Sequence, residues 1–160
     1  MQELVNTLAQ KLIEKKMKIV TAESCTGGLL ASALIRNAGA SAYFERGFIT
    51  YSNESKQEEL NVPENIMMLK GAVSNEVAEA MATGALHNSN AQISVSITGV
   101  AGPDGGTSDK PVGTVYFGFA LKTGSSISAH NLFEGSRQQI QEQATIAALQ
   151  TLITILDKQP

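Results

Sequence analysis

A chain of 160 residues, 42% of them hydrophobic, is long and apolar enough for one domain with its own core. A net charge of −3, with lysines and arginines scattered among acids, offers no basic field to a polyanion, so nucleic acid is not an expected partner. A single cysteine can form no internal disulfide, no secretory leader pattern opens the chain, and no apolar run approaches the ~18 residues of a membrane span, so a reducing cytoplasm is the expected location.

In chain order, residues 2–15 repeat apolar positions at Leu4-Val5, Leu8-Ala9 and Leu12-Ile13, which predicts a packing helix. Met17 to Val20 reads as a short buried strand. After the segment Thr21 to Gly28, the Ala-rich run Leu29 to Ile35 reads as a second helix that stops at Asn37 to Ser41. Phe44 to Tyr51 favours a strand, and Asn53 to Leu60 a short helix capped by Ser52 or Asn53. Val62 to Leu69 is mixed in character and receives no assignment. Ser74 opens a helix with Ala78, Met81, Ala82 and Ala85 on its buried face. Ala91 to Thr98 alternates Ile93, Val95 and Ile97 with Ser94 and Ser96, a strand that runs into the glycine-rich loop Gly99 to Gly106. Val112 to Leu121 and Ser126 to Phe133 predict two further strands, and Arg137 to Leu156 a long helix with Ile140, Ala144, Ala147, Ala148 and Ile155 on its apolar side. Strands and helices alternate, with two adjacent strands in the second half. The prediction is an α/β fold: a single three-layer domain over residues 1–160, with a mixed sheet flanked by helices.

The segment Thr21-Ala22-Glu23-Ser24-Cys25-Thr26-Gly27-Gly28 concentrates chemistry at the join of strand and helix. Ser24 and Cys25 fall near the first helical turn, where unpaired N–H groups and the positive end of the helix dipole favour a phosphate, a carboxylate or a developing oxyanion. The plainer reading makes Ser24 or Thr26 an N-cap and leaves Gly27 and Gly28 to form a tight turn. A serine nucleophile needs a base. His87 and His130 stand apart and read as structural or surface residues, so the candidates are Lys56 and Tyr51. Either both point to the same end of the sheet as Ser24, where burial would depress the lysine's pKa, or Tyr51 is a strand-end aromatic and Lys56 a solvated helix lysine.

No His-x-x-x-His or Cys-x-x-Cys spacing occurs, and Asp104 and Asp109 read as turn residues of the glycine loop rather than as Mg²⁺ ligands, so no metal is expected. The loop is not a P-loop, because Lys110 is followed by Pro111. Nor is it a dinucleotide fingerprint, because Pro103 and another turn stand where a helix should begin. Its small residues would still let backbone N–H groups approach an anion closely.

Four ordered motifs carry a resemblance. Thr21 to Gly28, Phe44 to Lys56, Gly71-Ala72-Val73-Ser74, and Thr98 to Gly106 followed by Pro111 to Val115 together resemble the C-terminal domain of the competence-damage-inducible protein CinA, over about Val5 to Leu156. The resemblance implies an amidohydrolase that converts nicotinamide mononucleotide to nicotinate mononucleotide and ammonia in pyridine-nucleotide salvage, at a metal-independent site built on a serine with a lysine and a tyrosine nearby. The matching residues here are Ser24 as nucleophile, Lys56 as base and Tyr51 as an orienting or relaying group. Cys25, Thr26, Gly27 and Gly28 are then expected to present N–H groups to the oxyanion. Thr98, Gly99, Gly102, Gly105, Gly106 and Arg137 are expected to bind substrate, the glycine loop and Arg137 leading for the phosphate. Many relatives open the last helix with Gly-Asp-Arg, where this chain has Gly135-Ser136-Arg137 and so keeps the arginine without the acid. Larger family members carry a further N-terminal domain, which this chain is expected to lack. The expected partner is a small-molecule nucleotide, with no cofactor, no metal, no membrane and no nucleic acid; homo-oligomerisation is left open. Two rival readings stand beside this one: a nucleotide-binding module without turnover, and an enzyme whose nucleophile is Cys25, a thiol at a helix N-terminus but without a histidine partner.

Overall fold

The computed structural model describes residues 1–159. Five strands, β1 (Ile19–Glu23), β2 (Phe44–Ile49), β3 (Ile93–Gly99), β4 (Thr114–Leu121) and β5 (Ser126–Leu132), form one sheet in the order β2-β1-β3-β4-β5. β1 pairs in parallel with both β2 and β3, while β3–β4 and β4–β5 are antiparallel, so the sheet is mixed as expected. Helices α1 (Gln2–Glu14), α2 (Leu29–Leu34) and α6 (Arg137–Asp157) belong to one layer, where Leu8, Leu12, Leu149 and Leu152 pack with Ile93, Ile97 and Phe117 of the sheet. Helices α3 (Asn53–Leu60), α4 (Glu64–Lys70) and α5 (Asn75–His87) belong to the other, where Leu60, Met67, Val77 and Met81 pack with Val20 and Ala22. Each fully buried aliphatic side chain contributes roughly 1.5–3 kcal/mol, so both layers are anchored by burial rather than by helix propensity.

Helices on both faces explain why the central strands depart from simple alternation. Every residue of β1 is buried, and in β3 the serines are as buried as the isoleucines between them. Ser94 and Ser96 escape the cost of unpaired burial by donating to the carbonyls of Ala82 and Ala78 in α5, at 2.7 and 2.5 Å. The neighbouring strand lets α5 come that close: a Cβ on Gly118 would stand 2.1 Å from the Ala78 carbonyl oxygen.

Apart from shifts of one or two residues at element ends, three differences from the sequence reading stand out. β1 runs from Ile19 through Glu23 instead of ending at Val20, because pairing on both sides pulls Thr21, Ala22 and Glu23 into the sheet. β2 ends at Ile49, which leaves Thr50 and Tyr51 in the following loop. The unassigned stretch after Val62 forms α4, whose one buried residue, Met67, leaves too thin an apolar stripe to read from sequence. From β1 the chain moves first outward to β2 and later to β3 on the other side, so the carboxyl end of β1 is a switch point of the topology, where open α/β sheets place their ligand crevices.

Candidate active site

At that switch point lies a cavity of about 270 Å³ walled by Ser24 and Cys25 after β1, Tyr51, Asn53 and Lys56 from the β2–α3 region, Ala72 and Val73, the run Thr98 to Gly102 with Asp104 and Gly105 at and beyond the end of β3, and Arg137 of α6. Ser24 leaves β1 with its N–H donated to the Ile97 carbonyl at 2.9 Å, which locks the first residue after the strand to β3.

Lys56 reaches the serine from α3. That helix starts where it does because the Ser52 hydroxyl caps it, accepting from Ser55 N–H at 3.1 Å. From the first turn Lys56 Nζ folds back onto the loop, 3.1 Å from Ser24 Oγ, 2.8 Å from the Thr50 carbonyl and 3.1 Å from the Tyr51 carbonyl. The side chain is 1% exposed, which overturns the reading of a solvated helix lysine. Among the described residues it has no carboxylate at ion-pairing distance, and burial pushes its pKa below the ordinary lysine value. A neutral amine has two N–H groups and one lone pair. The Ser52 carbonyl stands farther off, at 3.5 Å; when the amine is neutral and its two N–H groups go to the nearer Thr50 and Tyr51 carbonyls, the lone pair is left for the Ser24 hydroxyl.

Tyr51 contributes differently from the expectation. Its carbonyl helps hold Lys56, while the residue is 63% exposed and its hydroxyl accepts from Arg137 Nη2 at 3.0 Å. Neither Ser24 nor Lys56 is bonded to that hydroxyl among the described residues. Arg137 also donates from Nη1 to the Gly102 carbonyl at 2.7 Å, so it spans the mouth between the β2–α3 loop and the glycine loop with three of its five N–H groups open among the described residues. It is presented there by the N-terminus of α6, where Ser136 and Gln139 form a capping box.

Around the serine the expected free helix end is already filled. Glu23 Oε1 accepts from Thr26 Oγ1 at 2.7 Å and from Leu30 N–H at 2.9 Å, and Oε2 accepts from Ala31 N–H at 2.9 Å. Neither Ser24 nor Thr26 is the N-cap: that position is Gly28, at φ +98° and with no side chain to cap with. Gly27 N–H donates to the Ser24 carbonyl at 3.1 Å and Leu29 N–H to that of Thr26 at 3.1 Å, while the N–H groups of Cys25, Thr26 and Gly28 meet no protein oxygen among the described residues. Gln141 of α6 braces the turn from outside, donating to the Cys25 carbonyl at 2.8 Å. The Cys25 thiol is pushed up to about 12, chiefly by burial and further by the charge of Glu23. Such a thiol is not activated.

Of the residues singled out from sequence, Ser24, Cys25, Lys56, Tyr51, Thr98, Gly99, Gly102, Gly105 and Arg137 share this wall, whereas Thr26, Gly27, Gly28 and Gly106 do not. The Thr98 hydroxyl donates to the Ala72 carbonyl at 2.8 Å and ties β3 to the α4–α5 loop. Sequence reasoning missed Glu23, Asn53, Asp104 as a wall residue, and Gln141. Glu23 had a signal, an acid directly before the serine in the Thr21 to Gly28 motif. Gln141, 116 residues from its partner, had none. His87 and His130 are both exposed, and among the described residues no three His, Cys, Asp or Glu side chains gather as a ligand set.

A family model described as the CinA C-terminal domain matches residues 1–156. The nicotinamide-nucleotide amidohydrolase PncC of Enterobacter agglomerans is 47% identical over 153 residues, which are 96% of this chain and 93% of that protein. The protein of the same name from Escherichia coli strain K12 is 47% identical over 152 residues, 95% of this chain and 92% of its own. Among solved structures, the competence damage-inducible protein A of Klebsiella pneumoniae is similar with a TM-score of 0.96 at 33% identity, covering 99% of this chain and 98% of that one. A competence/damage inducible protein from Agrobacterium tumefaciens is similar with a TM-score of 0.94 at 38% identity, covering 98% and 95%.

Proposed function

The chain belongs to the CinA C-terminal domain family, and from that premise we propose that it is a nicotinamide-nucleotide amidohydrolase, converting nicotinamide mononucleotide and water to nicotinate mononucleotide and ammonia. The observation that carries the chemistry is the 3.1 Å contact between Ser24 Oγ and the buried Lys56 Nζ in a cavity at the switch point.

Ser24 Oγ attacks the carboxamide carbon as Lys56 Nζ accepts the hydroxyl proton. The C=O oxygen becomes an oxyanion, which the unpaired N–H groups of Cys25 and Thr26 stabilise; each such donor is worth roughly 3–4 kcal/mol where it has been removed in other enzymes. Lys56 returns the proton to the nitrogen, the C–N bond breaks and ammonia leaves. Water then attacks the acyl-Ser24 ester with Lys56 again as base, freeing the carboxylate and restoring the serine. Arg137, with its open N–H groups at the mouth, and the Gly102–Gly105 backbone receive the 5′-phosphate. The high thiol pKa of Cys25 supports serine over cysteine as nucleophile.

The test is ammonia release from nicotinamide mononucleotide by the purified protein. Release by the wild-type protein and none from Ser24→Ala is the expected result. A folded wild-type protein that binds the nucleotide without releasing ammonia would replace this reading with that of a binding module.

A further inference from the structure

We propose that Glu23 is a positioning residue for the nucleophile, a role that rests on the reading of Ser24 given above. The residue is fully buried at the end of β1, immediately before the serine. All of its side-chain hydrogen bonds go to the turn that Ser24 opens and the first turn of α2 that follows it: Thr26 Oγ1 and Leu30 N–H on Oε1, and Ala31 N–H on Oε2. Helix α2 needs this because its N-cap is Gly28, which has no side-chain acceptor for the orphan N–H groups of the first turn. Glu23 supplies the acceptor from the strand, and the donors compensate a carboxylate that has no cation at ion-pairing distance among the described residues.

The clamp reaches the base as well. The Glu23 carbonyl accepts from Thr50 N–H at 2.9 Å, and the Thr50 carbonyl in turn accepts from Lys56 Nζ. One residue therefore holds the serine turn through its side chain and the lysine cradle through its main chain. With the end of α2 filled, the N–H groups of Cys25, Thr26 and Gly28 are the donors of the turn that meet no protein oxygen among the described residues. The role requires a carboxylate. A glutamine of the same shape has one acceptor oxygen, so its NH₂ group must face Ala31 N–H or, when flipped, the two donors of Thr26 and Leu30.

The experiment compares wild-type protein with Glu23→Gln, Thr26→Val and the double variant, reading melting temperature, kcat and KM for nicotinamide mononucleotide, and the rate at which a fluorophosphonate probe modifies Ser24. Glu23→Gln is expected to lower both kcat and the labelling rate by about 10- to 100-fold, the range expected when a reacting atom is misplaced by about 1 Å, with KM changed less than about threefold. Thr26→Val is expected to lose less, and the double variant no more than Glu23→Gln alone, because both changes act through the same oxygen. A Glu23→Gln protein that melts lower yet labels and turns over at the wild-type rate would make the residue merely structural and overturn the proposal. Should that variant fail to fold, wild-type labelling of Thr26→Val would overturn it equally. A wild-type protein that releases ammonia while Ser24 resists the probe and Ser24→Ala stays active would instead overturn the nucleophile, and this role with it.

Discussion

At Lys56, burial and catalysis are coupled through one proton. The buried amine holds its proton less tightly than the same side chain in the unfolded chain. Between the lowered value and the ordinary lysine value the folded state therefore carries fewer protons, and stability rises with pH across that window. The neutral amine that can accept from Ser24 grows in the same direction. kcat/KM should thus rise with pH and level off below the ordinary lysine value, which a pH–rate profile checks; a limb that falls with rising pH over that range would contradict a neutral lysine base. Lys56→Met should lose about 10²- to 10⁴-fold in kcat, the usual worth of a general base, while thermal unfolding shows stability held or raised once the buried amine is gone. At Cys25 the reasoning runs the other way. With its thiol at about 12 and only 6% exposed, it should react with iodoacetamide slowly until the protein is unfolded, and Cys25→Ala should keep most of the activity that Ser24→Ala abolishes. A fully active Ser24→Ala beside a folded, inactive Cys25→Ala would reverse the assignment.

Helix α6 connects packing to substrate at the scale of an element. Its interior buries Ile140, Ala144, Ala148, Leu149, Leu152 and Leu156, and its first residue is the arginine at the cavity mouth. Ser136 caps that end, accepting from Gln139 N–H at 3.2 Å while Gln139 Oε1 accepts from Ser136 N–H at 2.8 Å. An uncharged capping box thus does locally what an acid could do before the arginine. Ser136→Ala should cost about 0.5–2 kcal/mol, seen as a fall of a few degrees in melting temperature. Arg137→Ala removes a charged hydrogen-bond donor worth roughly 1.5–3 kcal/mol. It should weaken the nucleotide by about 10- to 150-fold in kcat/KM and narrow its advantage over the dephosphorylated riboside. If both substrates slow equally, the arginine serves the chemical step or the mouth's structure and the phosphate is held elsewhere.

Across the whole molecule, two helical layers clamp a mixed sheet whose strand order opens a crevice at the carboxyl end of β1. The ionisable groups on that wall include the buried amine of Lys56 deep inside, the guanidinium of Arg137 at the mouth, and one carboxylate, Asp104, on the exposed loop. That spread suits a substrate with a neutral amide at one end and a phosphate at the other. Since no three metal-ligating side chains gather among the described residues, dialysis against a chelator should leave ammonia release unchanged. Loss of activity that a single divalent ion restores would contradict this.

Short-range chemistry was legible in the sequence: Ser52 and Ser74 announce their helices by hydroxyl capping, and apolar periodicity finds α1 and α6 within a residue of their observed ends and the buried face of α5. Ordered motifs likewise bring Ser24, Tyr51 and Lys56 to notice, because the strand-turn-helix joins that carry them are local. What tertiary structure decided is where the polar groups go. Lys56 lies on a short helix with no apolar stripe to announce burial, and only the closing of α3 over the end of the sheet takes it out of water. Glu23 and Thr21 look like turn residues until β2 and β3 pair on both sides of β1 and draw them in. The α2 N-terminus looks free for an anion until the Glu23 carboxylate folds onto it. Propensity and capping act over a few residues and can be read along the chain, whereas desolvation and the partners that compensate it are set by segments far apart in sequence, such as Gln141 on the Cys25 carbonyl, and exist only once the layers have packed.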